Sequence, residues 1–337
     1  AVWNGDHWLV VYESYSVSGT GFYYQKSLEA VRVAADGQVL DATPIRIFGV
    51  IPFVSSWDVA SDGTDWVVAF HGDTDSYDLK AVRITAAGVV ELPAHSLVPG
   101  TYYTRYNLRL AYAAGVYLLT WQGLDDTEGI RFDQDIQVLD AAPLTILDDV
   151  ANPADLTSNG SQFYLVWEQQ QLDFTTAVMG SRISPAGIKL DGSGVNISDT
   201  HQPQAGTTTA VVWDGVQWKT TWMHNSMVYL ARISSAGQVL DSGGVAISGP
   251  TGGNTAPTPT GGVQLIWEQY TTENNIVTAN IAANNSAAPN QTLSLGSPMH
   301  IRPDTAVGST GYMVVYQSQT DTAHRIMAQP LDGNGDP

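Results

Sequence analysis

Apolar residues fall along this chain in short runs of four to seven, rich in β-branched and aromatic types and separated by Gly, Asn, Asp and Ser. That pattern predicts strands and turns, and no stretch carries a convincing helical period. One run recurs seven times: Trp8-Leu-Val-Val-Tyr12, Trp66-Val-Val-Ala-Phe70, Tyr117-Leu-Leu-Thr-Trp121, Tyr164-Leu-Val-Trp167, Trp218-Lys-Thr-Thr-Trp222, Val263-Gln-Leu-Ile-Trp267 and Tyr312-Met-Val-Val-Tyr316. Its closing aromatics are spaced 45–58 residues apart, which suits one four-stranded propeller blade per repeat.

The rest of each repeat agrees. Before the run lies a short strand with an Asp-Gly or Asn-Gly turn, as at Asp62-Gly63 and Asn159-Gly160, where left-handed backbone is needed. After it comes a strand holding an arginine (Arg32, Arg83, Arg131, Arg182, Arg232), then a turn such as Ala35-Asp-Gly-Gln-Val-Leu-Asp41, then a strand such as Val195-Asn-Ile-Ser198. Blades six and seven put Asn280 and Gln329 where the arginine belongs. The expected fold is all-β: a seven-bladed propeller of four-stranded antiparallel blades, the last one incomplete. Blade boundaries fall near 1–50, 51–100, 101–149, 150–200, 201–249, 250–297 and 298–337. Neither end of the sequence offers the missing strand, so side-chain packing is expected to close the ring. The periodic aromatics are expected in the core, and the periodic arginines in structural pairs with carboxylates or backbone of a neighbouring blade.

The run Tyr164-Leu-Val-Trp167, followed by Ser181-Arg-Ile-Ser-Pro-Ala-Gly-Ile-Lys-Leu-Asp191, resembles a repeat found in secreted and surface β-propeller proteins of bacteria. The resemblance spans nearly the whole chain and implies the fold and an extracellular location. It implies no particular activity, because propellers host enzymes, lectins and scaffolds alike.

Composition narrows the chemistry. Of 337 residues, 33 are acidic and 14 basic, giving a net charge of −19, and there is no cysteine. Disulfides and Cys-ligated metals are excluded, and binding to nucleic acid or to an anionic bilayer is disfavoured. No apolar stretch is long enough to cross a membrane as a helix, and no basic segment followed by an apolar run opens the sequence. Charged residues are only 14% of the chain, and the balance is made up by Trp, Tyr and Gly.

Residues that break the repeat carry the functional signal. By analogy with other propellers, the connections from strand two to three and from strand four to the next blade emerge on one face. Arg46, Arg105, Arg109, Arg302 and Arg325 lie in or beside those segments, as do His71, His201, His224, His300 and His324 and the aromatics Tyr24, Trp57, Tyr103 and Tyr106. Arginine forks match carboxylate or sulfate, and tyrosine stacks on sugar rings. Arg105, Arg109, Arg302, His300, Tyr24, Trp57 and Tyr103 are therefore the candidate ligand-binding residues, the ligand being a glycan or an extracellular protein. For an enzyme, His71, His201, His300 and Tyr106 are the candidate proton-transfer groups beside an arginine-held sugar carboxylate. That arrangement resembles seven-bladed polysaccharide lyases in general terms only, with no motif matched residue by residue.

Other signals are weak. Asp73, Asp75 and Asp78 have a spacing compatible with Ca²⁺, and Asp332-Gly-Asn-Gly-Asp336 resembles the start of a calcium loop; a solvated loop and a hairpin turn are the competing readings, and no cofactor is expected. Asn159, Asn196, Asn284 and Asn290 begin glycosylation triplets. No phosphate loop, His-Glu-x-x-His helix or Gly-x-Ser-x-Gly elbow occurs. Three functions compete: a secreted or surface binding propeller, monomeric within a larger protein; an enzyme acting on an acidic polysaccharide; and a structural spacer. The dissimilar loops favour one groove over seven equal sites.

Overall fold

A computed structural model describes residues 1–17, 24–51, 56–71, 78–100, 105–148, 152–171, 175–199, 201–203, 209–225, 227–247, 253–257, 263–270, 274–281, 291–293, 299–309, 311–319 and 324–337. The described residues form seven antiparallel sheets, each built in chain order from one repeat; six have four strands and the seventh has three. The recurring runs are the second strands: His7–Val17, Trp66–His71, Val116–Gln122, Phe163–Gln170, Gln217–His224, Val263–Tyr270 and Gly311–Gln319. First strands of successive blades adjoin, making the inner wall of the ring. The protein is a seven-bladed β-propeller.

Register places the seven runs at equivalent strand positions. Trp8, Trp66, Tyr117, Phe163, Trp218, Val263 and Tyr312 open the repeat opposite Val33, Ile84, Phe132, Ile183, Ile233, Ile281 and Leu331. Tyr12, Phe70, Trp121, Trp167, Trp222 and Tyr316 each follow four residues later, on the same face because strands alternate; the side chain of Trp267 is outside the described residues. Phe70, Trp121, Trp167, Trp222 and Tyr316 are buried, whereas Tyr12 is half-buried. The opening position is buried more uniformly, Trp66, Tyr117, Phe163, Trp218 and Tyr312 having no exposure at all.

The core is a series of interfaces between blades. Leu9, Trp66 and Phe70 join blades one and two, and Tyr117 and Trp121 pack on Val67 and Leu79 between blades two and three. Trp8 and Val10 of blade one pack on Ala306, Met313 and Val315 of blade seven. Side chains of blades seven and one pack together at this seam, and the first strand of blade one, Val2–Trp3, pairs with its own blade.

Charged side chains tie neighbouring blades in two repeated ways. Arg32, Arg131, Arg182 and Arg232 each engage an aspartate nine residues on: Asp41, Asp140, Asp191 and Asp241. The same aspartate accepts the arginine's own backbone N–H. The fork then reaches forward, Arg32 Nη1 donating to Ala86 O at 2.8 Å and Arg131 Nη1 to Pro185 O at 3.0 Å. The carboxylate thus comes from the arginine's own blade and the backbone acceptor from the next. In blade seven Pro330 rather than Gln329 holds this position, opposite Met313.

The second device lies on the inner wall. Asp58 accepts from Val59 N in its own strand and from Leu110 N of blade three, at 2.9 and 2.7 Å. Asp155 repeats this with Leu156 N and Val211 N of blade five, at 2.9 and 2.8 Å. Asp304 repeats it again with Thr305 N and the Ala1 nitrogen of blade one, at 2.9 and 2.6 Å.

Candidate functional site

The second strands all point their C-terminal ends to one face, and the described side chains there form three groups. At blade one a long hairpin pairs Tyr15 with Lys26. Tyr15 is 58% exposed, and its hydroxyl donates to Glu13 Oε2 at 2.8 Å. Lys26 Nζ donates to the same oxygen at 3.3 Å and lies 5.2 Å from the centre of the Tyr15 ring. Glu13 holds the Lys26 ammonium above its usual range against the opposing effect of burial.

The second group, at the entrance to blade three, is mostly structural. Arg105 is buried, its guanidinium carbon 5.7 Å from the centre of the Trp121 ring. Burial pulls it below its usual range, while Glu128 and Asp78 act in the opposite direction. Trp121 Nε1 donates to Glu128 Oε2 at 2.8 Å. Tyr106 beside it is 52% exposed.

The third group, on blade five, brings together two of the histidines expected on this face. His201 stacks on Tyr229 with ring centres 4.4 Å apart, and His224 stands edge-on to His201 and Tyr229 at 5.5 and 5.7 Å. Behind them lies Trp222, whose Nε1 donates to His201 O at 2.5 Å. Each imidazole is oriented by a carbonyl: His201 Nδ1–H donates to Gly243 O and His224 Nδ1–H to Gln202 O, both at 2.7 Å. Asn225 Nδ2 donates to His224 Nε2 at 2.9 Å, which completes the tautomer assignment. Asn225 has φ +49°, a left-handed conformation that asparagine tolerates. All three rings are half-buried, so the cluster is fixed yet open at its rim.

Several sequence-predicted residues lie elsewhere. His71 is fully buried in blade two. Trp57 stands opposite Phe70 and packs against the core between blades one and two. Arg109 is on the inner wall, not in a loop, because the first strand of blade three already begins at Tyr106. It occupies the position taken by Asp58 and Asp155 in the flanking blades, its partner Thr120 matching their partners Ala69 and Val166. Its Nε donates to Ala154 O at 2.7 Å and its Nη1 to Leu108 O at 2.9 Å, with Asp155 Oδ1 at 3.9 Å.

His300 and Arg302 lie on the first strand of blade seven and Tyr24 opens the third strand of blade one. The side chains of these three residues, together with Tyr103, Asp73 and Asp75, are outside the described residues. Asp78 accepts from Ser96 Oγ at 3.1 Å and from Gly100 N, which ties it to its own blade. Among the described residues no three His, Asp or Glu side chains form a metal-binding group. Asp332–Asp336 folds as the turn after strand three, with Asp332 N donating to Asp336 O at 2.8 Å.

Sequence reasoning missed the inner-wall aspartates. Their signal is the spacing Asp58-x-x-Ser61-x-Gly63 and Asp155-x-x-Ser158-x-Gly160. Burial raises the carboxyls of both Asp58 and Asp155, the latter to about 6, against the opposing pull of Arg109. A carboxyl raised in the folded state binds its proton more tightly there than in the unfolded chain. The stability contributed by Asp155 should therefore fall as pH rises from about 4 to about 6 and stay level above that. Titration of its ¹³C carboxyl signal by NMR is the measurement; a midpoint in the ordinary aspartate range would refute the assignment.

No protein-family model and no curated protein sequence matches this chain. Solved structures match its fold. The propeller domain of the Trilobed protease from Pyrococcus furiosus, described as having an open velcro topology, is 11% identical over 98% of this chain and 96% of that one, with a TM-score of 0.56. A protein of unknown function from Dyadobacter fermentans is 9% identical over 82% of this chain and 94% of that one, with a TM-score of 0.53. The sialidase of Trypanosoma rangeli, in complex with the inhibitor DANA, is 6% identical over 88% of this chain and 57% of its own length, with a TM-score of 0.54.

Proposed function

We propose that this chain is the binding propeller of a secreted or cell-surface protein, and that its ligand is a glycan seated on the face formed by the two–three and four–one connections. The observation that carries the reading is the His201–His224–Tyr229 cluster. It offers ring surface with fixed orientation and, at its rim, the Asn225 amide for sugar hydroxyls. Tyr15 and Tyr106 add exposed aromatic surface on the same face.

Sequence alone pointed to a ligand with carboxylate or sulfate groups. Two of the arginines on which that rested are engaged inside the protein, Arg105 over Trp121 and Arg109 in the inner wall, while Arg46, beside Glu29, and Arg325 are exposed. A neutral, hydroxyl-rich sugar fits the cluster better.

A glycan array screened with the whole chain is the test, followed by affinity measurements on the best ligand. His224→Ala and Asn225→Gly, the latter keeping a residue suited to left-handed backbone, should each weaken binding about ten-fold, equivalent to one hydrogen bond or stacking contact. Thermal stability should be nearly unchanged, and affinity should vary little between about 0.05 and 0.5 M salt, because no exposed charge pair is involved. Unchanged affinity in both variants would remove the cluster from the site. Unsaturated products released from a uronic-acid polysaccharide would establish the lyase reading instead.

A further inference from the structure

The His201–His224–Tyr229 cluster lies on the seam between blades four and five, and a carboxylate faces that seam from the other side. Val166 and Val178 of blade four share one apolar cluster with Trp218 and Trp222 of blade five, and Tyr229 packs against it. Side chains alternate between the two faces of a strand. Glu168, two residues past Val166, and His224, two past Trp222, therefore both turn toward this seam, on the face where the second strands end.

Glu168 is half-buried. Its Oε1 accepts from Thr209 Oγ1 of blade five at 2.9 Å, the one hydrogen bond to this carboxylate among the described residues. Burial raises the carboxyl above its ordinary range, and the Thr209 hydroxyl pulls it back. An ionised carboxylate accepts about four hydrogen bonds, so this group, already drawn partly out of water, keeps unused acceptor capacity. It also stands level with the cluster. Tyr229 pairs with Trp222, and Ala210, the residue after Thr209, pairs with Thr221. Thr209 precedes the first strand of blade five, His224 ends the second and Tyr229 lies on the third. With neighbouring strands about 5 Å apart, the row runs about 10 Å from Tyr229 inward to Thr209. That span is longer than one pyranose ring.

We propose that Glu168 forms a second sugar subsite beside the aromatic one, an inference that rests on the glycan reading above. One ring lies on the His201–His224–Tyr229 cluster, and the next unit, on the channel side, gives hydroxyl hydrogen bonds to Glu168. The ligand class is thereby a neutral oligosaccharide of at least two units. A carboxylate or sulfate on the inner unit meets Glu168 as a like charge and is rejected.

The test titrates the whole chain with methyl glycosides of glucose, galactose and mannose, with the matching 1,4-linked disaccharides, and with those disaccharides oxidised to carboxylates at C6. For the sugar bound best, the neutral disaccharide should bind at least ten-fold more tightly than the monosaccharide. Glu168→Gln keeps the side-chain shape and an oxygen for Thr209. It should remove most of that gain, leave monosaccharide affinity within two-fold of the parent, and narrow the preference for neutral over oxidised disaccharide at least five-fold. His224→Ala should instead weaken both lengths alike. If Glu168→Gln changes neither the gain nor the preference while His224→Ala weakens binding, the glycan reading stands and the second subsite is refuted. Loss of monosaccharide binding in Glu168→Gln together with a lowered melting temperature would make Glu168 structural and overturn the assignment. If no neutral sugar binds the parent, the glycan reading fails and the subsite with it.

Discussion

Trp222→Ala should destabilise the protein by about 3–5 kcal/mol, as should Trp167→Ala, the range for removing a large buried aromatic. Trp167 and Trp222 are 2% and 1% exposed. Each six-membered ring lies against a glycine with positive φ, Gly194 at +98° and Gly244 at +72°. A side chain at either glycine would overlap the ring, so the indole fills a space with no slack and its loss leaves a cavity. Chemical denaturation read by tryptophan fluorescence or circular dichroism measures the change. The two variants should differ in function. Trp222 also donates to His201 O and backs Tyr229, so its loss should reduce glycan binding as well, while Trp167→Ala should leave binding intact in the folded fraction. Unfolding midpoints within error of the parent would show that these rings are not core.

Lys219→Met should be of similar size, about 3–5 kcal/mol, because it leaves a buried carboxylate without its cation. Lys219 is fully buried and its Nζ lies 3.2 Å from Asp214 Oδ2. Burial pulls the ammonium below its ordinary range, and Asp214 pulls it back. Asp214 is itself fixed, its Oδ1 accepting from Val216 N and Gln217 N at 2.9 and 2.8 Å. The double variant Lys219→Met with Asp214→Asn should recover part of the loss, since the amide oxygen can keep the turn while no buried charge remains. Urea midpoints of the single and double variants decide this. A single variant within about 1 kcal/mol of the parent would mean that water reaches Asp214.

The fold was legible in the sequence because a propeller repeats its burial pattern. Seven aromatic runs with matched turns specify seven blades, and Trp121, Trp167 and Trp222 lie in the core as their period implies. The arginine pairs were half-legible. The turn ending in Asp41, Asp191 or Asp241 was visible, but its link to an arginine nine residues earlier depends on how strands three and four approach each other. The candidate site was least legible. His71 and His224 follow the same run, one and two residues past its last aromatic, yet His71 is buried and His224 is half-exposed. Arg109 reads as a loop cation until register places it in the row of inner-wall aspartates. Sequence spacing locates a residue along the chain; the depth of its side chain depends on which strand of the neighbouring blade covers it.

The charged ties between blades share a direction. In the Asp58, Asp155 and Asp304 hooks, and in the Arg32 and Arg131 forks, the charged side chain belongs to one blade and the backbone group to the blade that follows it around the ring. A ribosome delivers the blades in that same order. Each of the first four ties is therefore satisfied as soon as the next blade emerges, without waiting for distant sequence. The Asp304 tie instead points back to blade one. A nascent chain should thus gain protection blade by blade as a growing arc, with the contact between blades seven and one forming last.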